Sequence, residues 1–532
     1  MLGGMQEFEL RVPRIIDHAA REHGEREVVT YWADGQESRS DWAGVHRDAR
    51  RLAQALERLG MTPGDRIATL AMNHGRHIVA WYGAIGMGGV IHTINPRLFD
   101  EQIVYIANHA GDRVLFYDRA FQPLVDRLKP QFTTIEHFIC FDPPAGADGF
   151  ESLIAAEDGD YRWVEGPERA PCMLCYTSGT TGNPKGVLYT HRSTLLHAMT
   201  EVSPAVFDLS PRAVTLPIVP MFHAAAWGLP FAAPMAGVKM VCSAVNDPKV
   251  LCLLMNREKV THSAGVPTVW LAMFKHIDET GEAPQHLQLV TIGGSAAPRM
   301  MIERLMTMGI RVGHAWGMTE TSPIGTCGAP SHDWDDLDFE AQVDQVVRQG
   351  RVPFGVELRV VDDDGVVQPR DGASSGRLQV RGPWVLDRYF RDETGPAIDA
   401  DGWFDTGDVA VLHPNGTMQI TDRSKDVIKS GGEWISSVDL ENAAVDCPGV
   451  AEAAAIGVYH PKWDERPLLL VVRKPGATVT EAEIIAFLAG RVAKWWLPDE
   501  IAFVDELPHT ATGKLLKTAL RAEYKDYRLK VA

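Results

Sequence analysis

Three observations predict an α/β chain of more than one domain. Amphipathic helices and short apolar strands alternate from the start of the chain to about residue 320. Strand-like runs joined by Asp/Gly turns follow an acidic stretch, Asp333 to Asp338. After Asp422-Arg423-Ser424-Lys425 the texture changes again, to a mixed segment over 426–532. Single cores stop growing at about 250–300 residues, so a chain of 532 has room for two or more. The expectation is a large layered α/β N-terminal domain with a β-rich subdomain, followed by a small α+β C-terminal domain.

Each element has a local reason. Trp42, Val45, Ala49, Leu52, Leu56 and Leu59 recur at three- and four-residue steps, with Ser40 and Asp41 before them and Gly60 after. That spacing predicts a capped helix with one buried stripe. Ile67 to Met72 reads as a buried strand. Val356–Val361 and Arg377–Val380 read as strands of the β-rich segment. In the last segment Ala451–Val458, Leu468–Val472 and Ile501–Val504 read as strands. Thr480 and Glu483 form a capping box ahead of Ile484, Phe487 and Leu488.

Composition excludes several classes. Apolar residues at 45% and charged residues at 23% are ordinary for a globular protein. A net charge of −18 argues against a general nucleic-acid surface, which needs a basic stripe. The seven cysteines are scattered and odd in number, so no disulfide framework is expected and a reducing, cytoplasmic setting fits. Cys172 and Cys175 sit in an apolar strand and read as core rather than as a metal or redox pair. The first residues show no signal peptide. The most apolar long window, Ala224 to Val241, is broken by Pro230, Pro234 and Gly237, carries Lys239, and is too short and too interrupted to span a bilayer.

The run Tyr176-Thr177-Ser178-Gly179-Thr180-Thr181-Gly182-Asn183-Pro184-Lys185-Gly186 carries the chemistry. Glycines let backbone N–H groups approach an anion, and hydroxyls with an ammonium complete a polyphosphate cradle. It is not a Walker A loop, because Pro184 stands where that motif needs glycine.

Thr177 to Gly186 resembles the signature loop of adenylate-forming enzymes, the superfamily of acyl-CoA synthetases, peptide-synthetase adenylation domains and beetle luciferases. The resemblance extends over nearly the whole chain. It implies an adenylation core over 1–421, a hinge at 422–425 and a mobile lid over 426–532. It also implies ATP, Mg²⁺ and CoA as reactants beside a carboxylic acid. Such chemistry brings an anionic carboxylate up to an anionic α-phosphate, so cations must stand between them. One opposing charge at 4 Å is worth ~4 kcal/mol at an effective dielectric of 20.

Residue by residue, Lys514 in Thr510-Ala511-Thr512-Gly513-Lys514 resembles the catalytic lysine that reaches the α-phosphate and the acyl carboxylate. Thr177, Ser178, Gly179, Thr180, Thr181, Gly182 and Lys185 would hold the phosphates, with Lys185 on the β/γ side. Ala315-Trp316-Gly317-Met318-Thr319-Glu320 resembles the second core motif. There Glu320, with a hydroxyl from Thr177 or Thr319, would ligate Mg²⁺. Trp316 stands where most relatives carry tyrosine, and would lie against the adenine or the acyl-phosphate region. Gly294, Ser295 and Ala296 resemble the loop that packs on the adenine. Asp408 would accept both ribose hydroxyls, and Arg423 would add a ribose or phosphate contact.

For the second half-reaction the lid turns about a residue aligned with Lys425. Ser430-Gly431-Gly432-Glu433-Trp434 then enters the site. The glycines would pass the pantetheine arm, and Lys429 or Glu433 would meet polar parts of CoA. His223, Trp227 and Gly294 would wall the acyl pocket, with His223 near the carboxylate. Trp227 beside small alanines suits a short or medium acyl chain. Ser430 to Ser437, with His223 and Trp227, resembles the branch of medium-chain fatty-acid and 3-(methylthio)propionate CoA ligases.

The expected activity is therefore acyl-CoA formation through an acyl-AMP, with 3-(methylthio)propionate the leading acid and a medium- or long-chain fatty acid the alternative. A carrier-loading adenylation protein is the weaker reading, because no carrier module follows Lys514. A luciferase-like oxygenase shares the same motifs and would be marked by an oxygen-dependent product. A silent nucleotide-binding module would have lost Lys514, Glu320 or Asp408. A homodimer is left open.

Overall fold

The computed structural model describes residues 3–177, 183–423, 425–430, 433–509 and 515–529. The alternation of the first 320 residues builds two mostly parallel sheets. One has six strands in the order His137–Cys140, Asp112–Tyr117, Arg66–Leu70, Val90–Thr93, Pro171–Thr177 and Lys185–Thr190, parallel except for the last pair. The other has eight, running from Ile324–Cys327 through Arg311–Gly317, Leu289–Ile292, His262–Gly265, Val214–Pro217, Lys239–Ser243 and Glu27–Tyr31 to Glu37–Asp41. Its interior pairs are parallel and its two edge strands antiparallel. Parallel sheets need cover on both faces, which explains the near-continuous apolar strands.

The helix Trp42–Arg58 forms as its spacing predicts. The Asp41 carboxylate accepts from Gly44 N at 2.7 Å, and Trp42, Val45, Ala49, Leu52 and Leu56 are buried. Such a cap is worth about 1 kcal/mol. This helix packs on Gly75–Gly86, every residue of which from His77 onward is buried. Gly83 permits the close crossing, because a Cβ there would lie 2.9 Å from Ala49 O and from Leu52 Cδ2.

The acidic stretch is more than a spacer. Asp338 caps the helix Phe339–Val347 by accepting from Ala341 N at 2.9 Å. Arg299 of the helix Arg299–Thr307 then reaches Glu340 at 2.6 Å and pairs with Asp344, so the stretch closes against the α/β core. Beyond it lies an antiparallel sheet of Glu357–Val361, Ser375–Arg381, Phe404–Leu412 and Met418–Arg423.

The C-terminal segment forms its own sheet: Glu433–Ile435, Ile428–Ser430, Asp464–Arg473 and Val450–His460, with Glu500–Phe503 parallel to Asp464–Arg473. Thr480 caps its helix as the sequence implies, with Thr480 N donating to the Glu483 carboxylate at 2.8 Å. Two apolar clusters, one around Ile435, Leu440 and Leu469 and one around Ile456, Leu470 and Leu520, lie wholly within this segment. All seven cysteines are buried and free. Among the described residues no helix is long and apolar enough to cross a membrane.

Candidate active site

The carboxyl ends of parallel strands carry most of the predicted site. Val214–Pro217 leads into His223 and Trp227, Leu289–Ile292 into Gly293-Gly294, and Arg311–Gly317 into Met318, Thr319 and Glu320. Pro171–Thr177 of the six-stranded sheet ends in Thr177, and Thr177 pairs with Lys185 across the hairpin that closes the loop. Open α/β sheets bind ligands at this edge because the loops there converge.

Glu320 sits in a short turn after Arg311–Gly317 and is only 7% exposed. The Tyr389 hydroxyl donates to its Oε1 at 2.8 Å. Burial, and next the Glu320 carboxylate itself, push the Tyr389 phenol far up, so the proton stays on Tyr389. Lys185 completes the group, with Nζ 4.7 Å over the Tyr389 ring and 3.7 Å from Asp392. A carboxylate, a phenol and an ammonium thus stand in sequence beside Thr177. The Tyr189 hydroxyl donates to Thr319 O at 2.7 Å and anchors the same turn.

A second group forms around Asp408. The Trp316 indole N–H donates to Asp408 Oδ2 at 2.8 Å, and Arg423 Nε lies 3.7 Å from Oδ1. Asp408 and Arg423 are register partners in adjacent strands, which places their side chains on one face. Gly325 lies flat on the Trp316 ring, since a Cβ there would sit 2.2 Å from Cζ3.

Trp227, 8% exposed, lies over the Gly293-Gly294 turn; a Cβ on Gly293 would approach its Cη2 to 3.2 Å. His223 begins the same short helix Ala224–Gly228 and is half-buried. Ala315 is buried, Met318 and Ala296 are partly covered, and Ser295 is exposed. Behind this wall stands Glu201, fully buried, whose two carboxylate oxygens make no well-directed hydrogen bond among the described residues. Its nearest partner is His197 Nδ1 at 3.4 Å. Burial pushes its carboxyl up to about 7. Gly228 faces it at φ +71, and a Cβ there would come within 1.9 Å of Glu201 Oε2. Only glycine fits that position.

On the C-terminal segment, Lys425 and Lys429 are exposed at the side chain. Lys429 N donates to Glu465 at 2.9 Å, and Ser430 Oγ accepts from Arg466 at 3.3 Å. Ser178, Gly179, Thr180, Thr181, Gly182, Gly431, Gly432 and Lys514 lie outside the described residues, as do the side chains of Glu433 and Trp434.

The structure thus joins Glu320 to Lys185, Trp316 to Asp408 and Arg423, and Trp227 to Gly293-Gly294. Sequence reasoning missed Tyr389, Asp392 and Glu201. Tyr389 and Asp392 lie in an unpatterned polar run, Arg388 to Thr394, with no spacing to single them out. Glu201 did carry a signal, as an acidic residue on an otherwise weakly polar stretch of helix beside His197.

Residues 16–390 match the AMP-binding enzyme family, and residues 439–514 match the AMP-binding enzyme C-terminal domain; the chain belongs to this family. It is 48% identical to a 3-methylmercaptopropionyl-CoA ligase of Ruegeria lacuscaerulensis over 99% of both chains. It is 45% identical to a medium-chain-fatty-acid–CoA ligase of Ectopseudomonas oleovorans, over 100% of this chain and 99% of that one. In fold it matches an anthranilate CoA ligase in complex with anthranoyl-AMP, with a TM-score of 0.87 over 99% of both chains at 24% identity. The chain is an AMP-forming acyl-CoA ligase, an enzyme that uses ATP, Mg²⁺ and CoA.

Proposed function

We propose that this ligase activates a short- or medium-chain carboxylic acid, with 3-(methylthio)propionate as the leading substrate. The observation that carries the reading is Trp227 lying across Gly293-Gly294, which narrows the acyl side of the site. The 48% identity to a ligase named for 3-methylmercaptopropionate supports the same acid. A pocket closed by an indole rejects an oversized chain sterically, whereas each methylene gained in an apolar pocket is worth only about 1–3 kcal/mol.

The residues divide the work by chemistry. Asp408, held by Trp316 and Arg423, accepts the ribose hydroxyls, and Lys185 meets the β/γ-phosphates. Among the described residues no group of three or more His, Cys, Asp or Glu could hold a metal by itself. Glu320, with a Thr177 or Thr319 hydroxyl, would offer hard oxygen donors to an ion that also meets the nucleotide phosphates. That donor set suits Mg²⁺, whose role is to neutralise phosphate charge. Lys514 reaches the α-phosphate and the acyl carboxylate as negative charge develops between them. His223 lines the carboxylate end.

The lid, 426–532, then turns about the 422–425 hinge, at Lys425, and brings Ser430 to Trp434 to the acyl-AMP for CoA attack. The separate apolar clusters of that segment support its acting as one body. The seven buried free cysteines of the whole chain favour a reducing, cytoplasmic setting.

The test is CoA-dependent AMP release across acids varied in length, branching and a thioether. The expected result is the highest kcat/KM for short or medium acids, with 3-(methylthio)propionate first. A preference for acids of long chain would overturn the substrate assignment.

A further inference from the structure

The junction between hinge and lid contains a buried polar chain that neither half-reaction, as described above, employs. Asp422 is fully buried near the end of the strand Met418–Arg423, where the proposed hinge begins, one residue from Arg423. Its carboxylate accepts from Ser437 N at 2.6 Å and from Ser437 Oγ at 3.0 Å. Ser437 begins the lid helix Ser437–Val445. The same hydroxyl accepts from Lys517 Nζ at 2.6 Å, and Lys517 also pairs with Glu441 Oε1 at 2.7 Å. Glu441 is held in turn by Ala455 N at 2.7 Å. Lys517 is 7% exposed and opens the helix Lys517–Glu523, three residues after Lys514. A second tie, Arg521 with Asp426, binds that helix to the segment just beyond the hinge.

A hydroxyl has one hydrogen to give, so Ser437 must donate to Asp422 and accept from Lys517. The order Asp422–Ser437–Lys517–Glu441 is therefore directional and complete. Buried ammonium and carboxylate groups are expensive, and an apolar packing of similar volume is often as stable or more so. What the polar chain supplies is geometry. It joins the strand bearing Arg423, the register partner of Asp408, to the backbone that immediately follows Lys514.

We propose that Lys517 is a positioning residue for adenylation, tying the lid segment that follows Lys514 to the Asp422 strand of the nucleotide site. The inference rests on the reading that Lys514 serves the first half-reaction. Misplacement by about 1 Å can cost a hundredfold in rate even when the change is remote. A general loss of lid structure would act differently. It would also impair CoA attack, because the strands Ile428–Ser430 and Glu433–Ile435 belong to the same sheet as Ala455, which holds Glu441.

The experiment compares Lys517→Met, Lys517→Arg, Glu441→Gln and Lys514→Ala in the full chain, reading two steps. Adenylation is followed by acid-dependent pyrophosphate exchange into ATP, and thioester formation by CoA attack on supplied acyl-AMP. Lys517→Met is expected to lower kcat of adenylation roughly a hundredfold with KM for ATP within about threefold, and to leave thioester formation nearly intact. Lys517→Arg restores most of the rate, and Lys517→Met adds little to the loss in Lys514→Ala.

Equal losses in both steps, or no loss in either, overturn the proposal. Should Lys517→Met fail to fold, Glu441→Gln serves with the same two criteria. If Lys514→Ala itself keeps adenylation, the reading of Lys514 fails. If Lys514→Ala loses adenylation while Lys517→Met keeps it, only the positioning role fails.

Discussion

Replacing Trp316 by phenylalanine removes one N–H from the ribose carboxylate proposed above. In the structure that N–H reaches Asp408 Oδ2 at 2.8 Å, while the Arg423 guanidinium stands at 3.7 Å and is 47% exposed. An exposed pair at that distance is worth less than about 1 kcal/mol, so the indole supplies the firmer hold. A hydrogen bond to a charged group contributes about 1.5–3 kcal/mol. The Asp408 side chain is 15% exposed, so water can take part of the vacated place and the lower end applies. About 1.5 kcal/mol corresponds to roughly tenfold in KM for ATP, measured by pyrophosphate exchange. Phenylalanine also vacates the ring space beside Gly325, so Trp316→Tyr is the matched control: it leaves a similar space but retains a donor. Recovery of part of the loss by tyrosine is expected. Identical KM values for the wild type, Phe and Tyr forms would refute the assignment of the indole N–H to this task.

Three further outcomes follow from the same geometry. Lys425→Pro restricts the backbone at the proposed pivot, and should depress thioester formation far more than adenylation; equal losses would remove Lys425 as the hinge. Lys185→Met should raise KM for ATP about tenfold and spare CoA attack on supplied acyl-AMP, since a half-exposed ammonium contributes only about 1–1.5 kcal/mol toward a phosphate. Glu201→Gln should stabilise the protein more at pH 8 than at pH 5. The reference carboxyl titrates near 4.5 and the buried one near 7, so the folded state keeps its proton while the unfolded state loses it. Stability is thus lost as pH rises through that interval, and only the Glu form pays it. A gain in Tm that is the same at both pH values would show that Glu201 does not titrate on unfolding.

Much of this protein was legible in one dimension because its signals are local. The Asp41 cap, the Thr480–Glu483 box and the stripe of Trp42, Val45, Leu52 and Leu56 depend on neighbours within a turn or two. The strand of Cys172 and Cys175 that enters the loop was legible from its apolar run, whereas its pairing with Lys185–Thr190 was not. The family resemblance then brought Glu320, Asp408, Arg423 and Lys425 into view as types of residue at expected places. The boundary at Asp333 to Asp338 read as a separator because its charges are visible. Its capping of Phe339–Val347, and the docking of that helix through Arg299, are not.

What the sequence by itself determined is the inventory: the alternation of helices and strands, the family, and the residue types proposed to hold phosphate and to serve adenylation. What only the tertiary structure decided is the pairing. Tyr389 meets Glu320 across 69 residues of chain, Trp316 meets Asp408 across 92, and Lys517 meets Ser437 across 80. Such contacts depend on sheet order, register and the crossing of packed helices, which no local period records. Glu201 shows the same limit from the opposite side: its burial behind Gly228, and hence its raised pKa, exists only once the helix His191–Val202 has packed against the turn Ala224–Gly228.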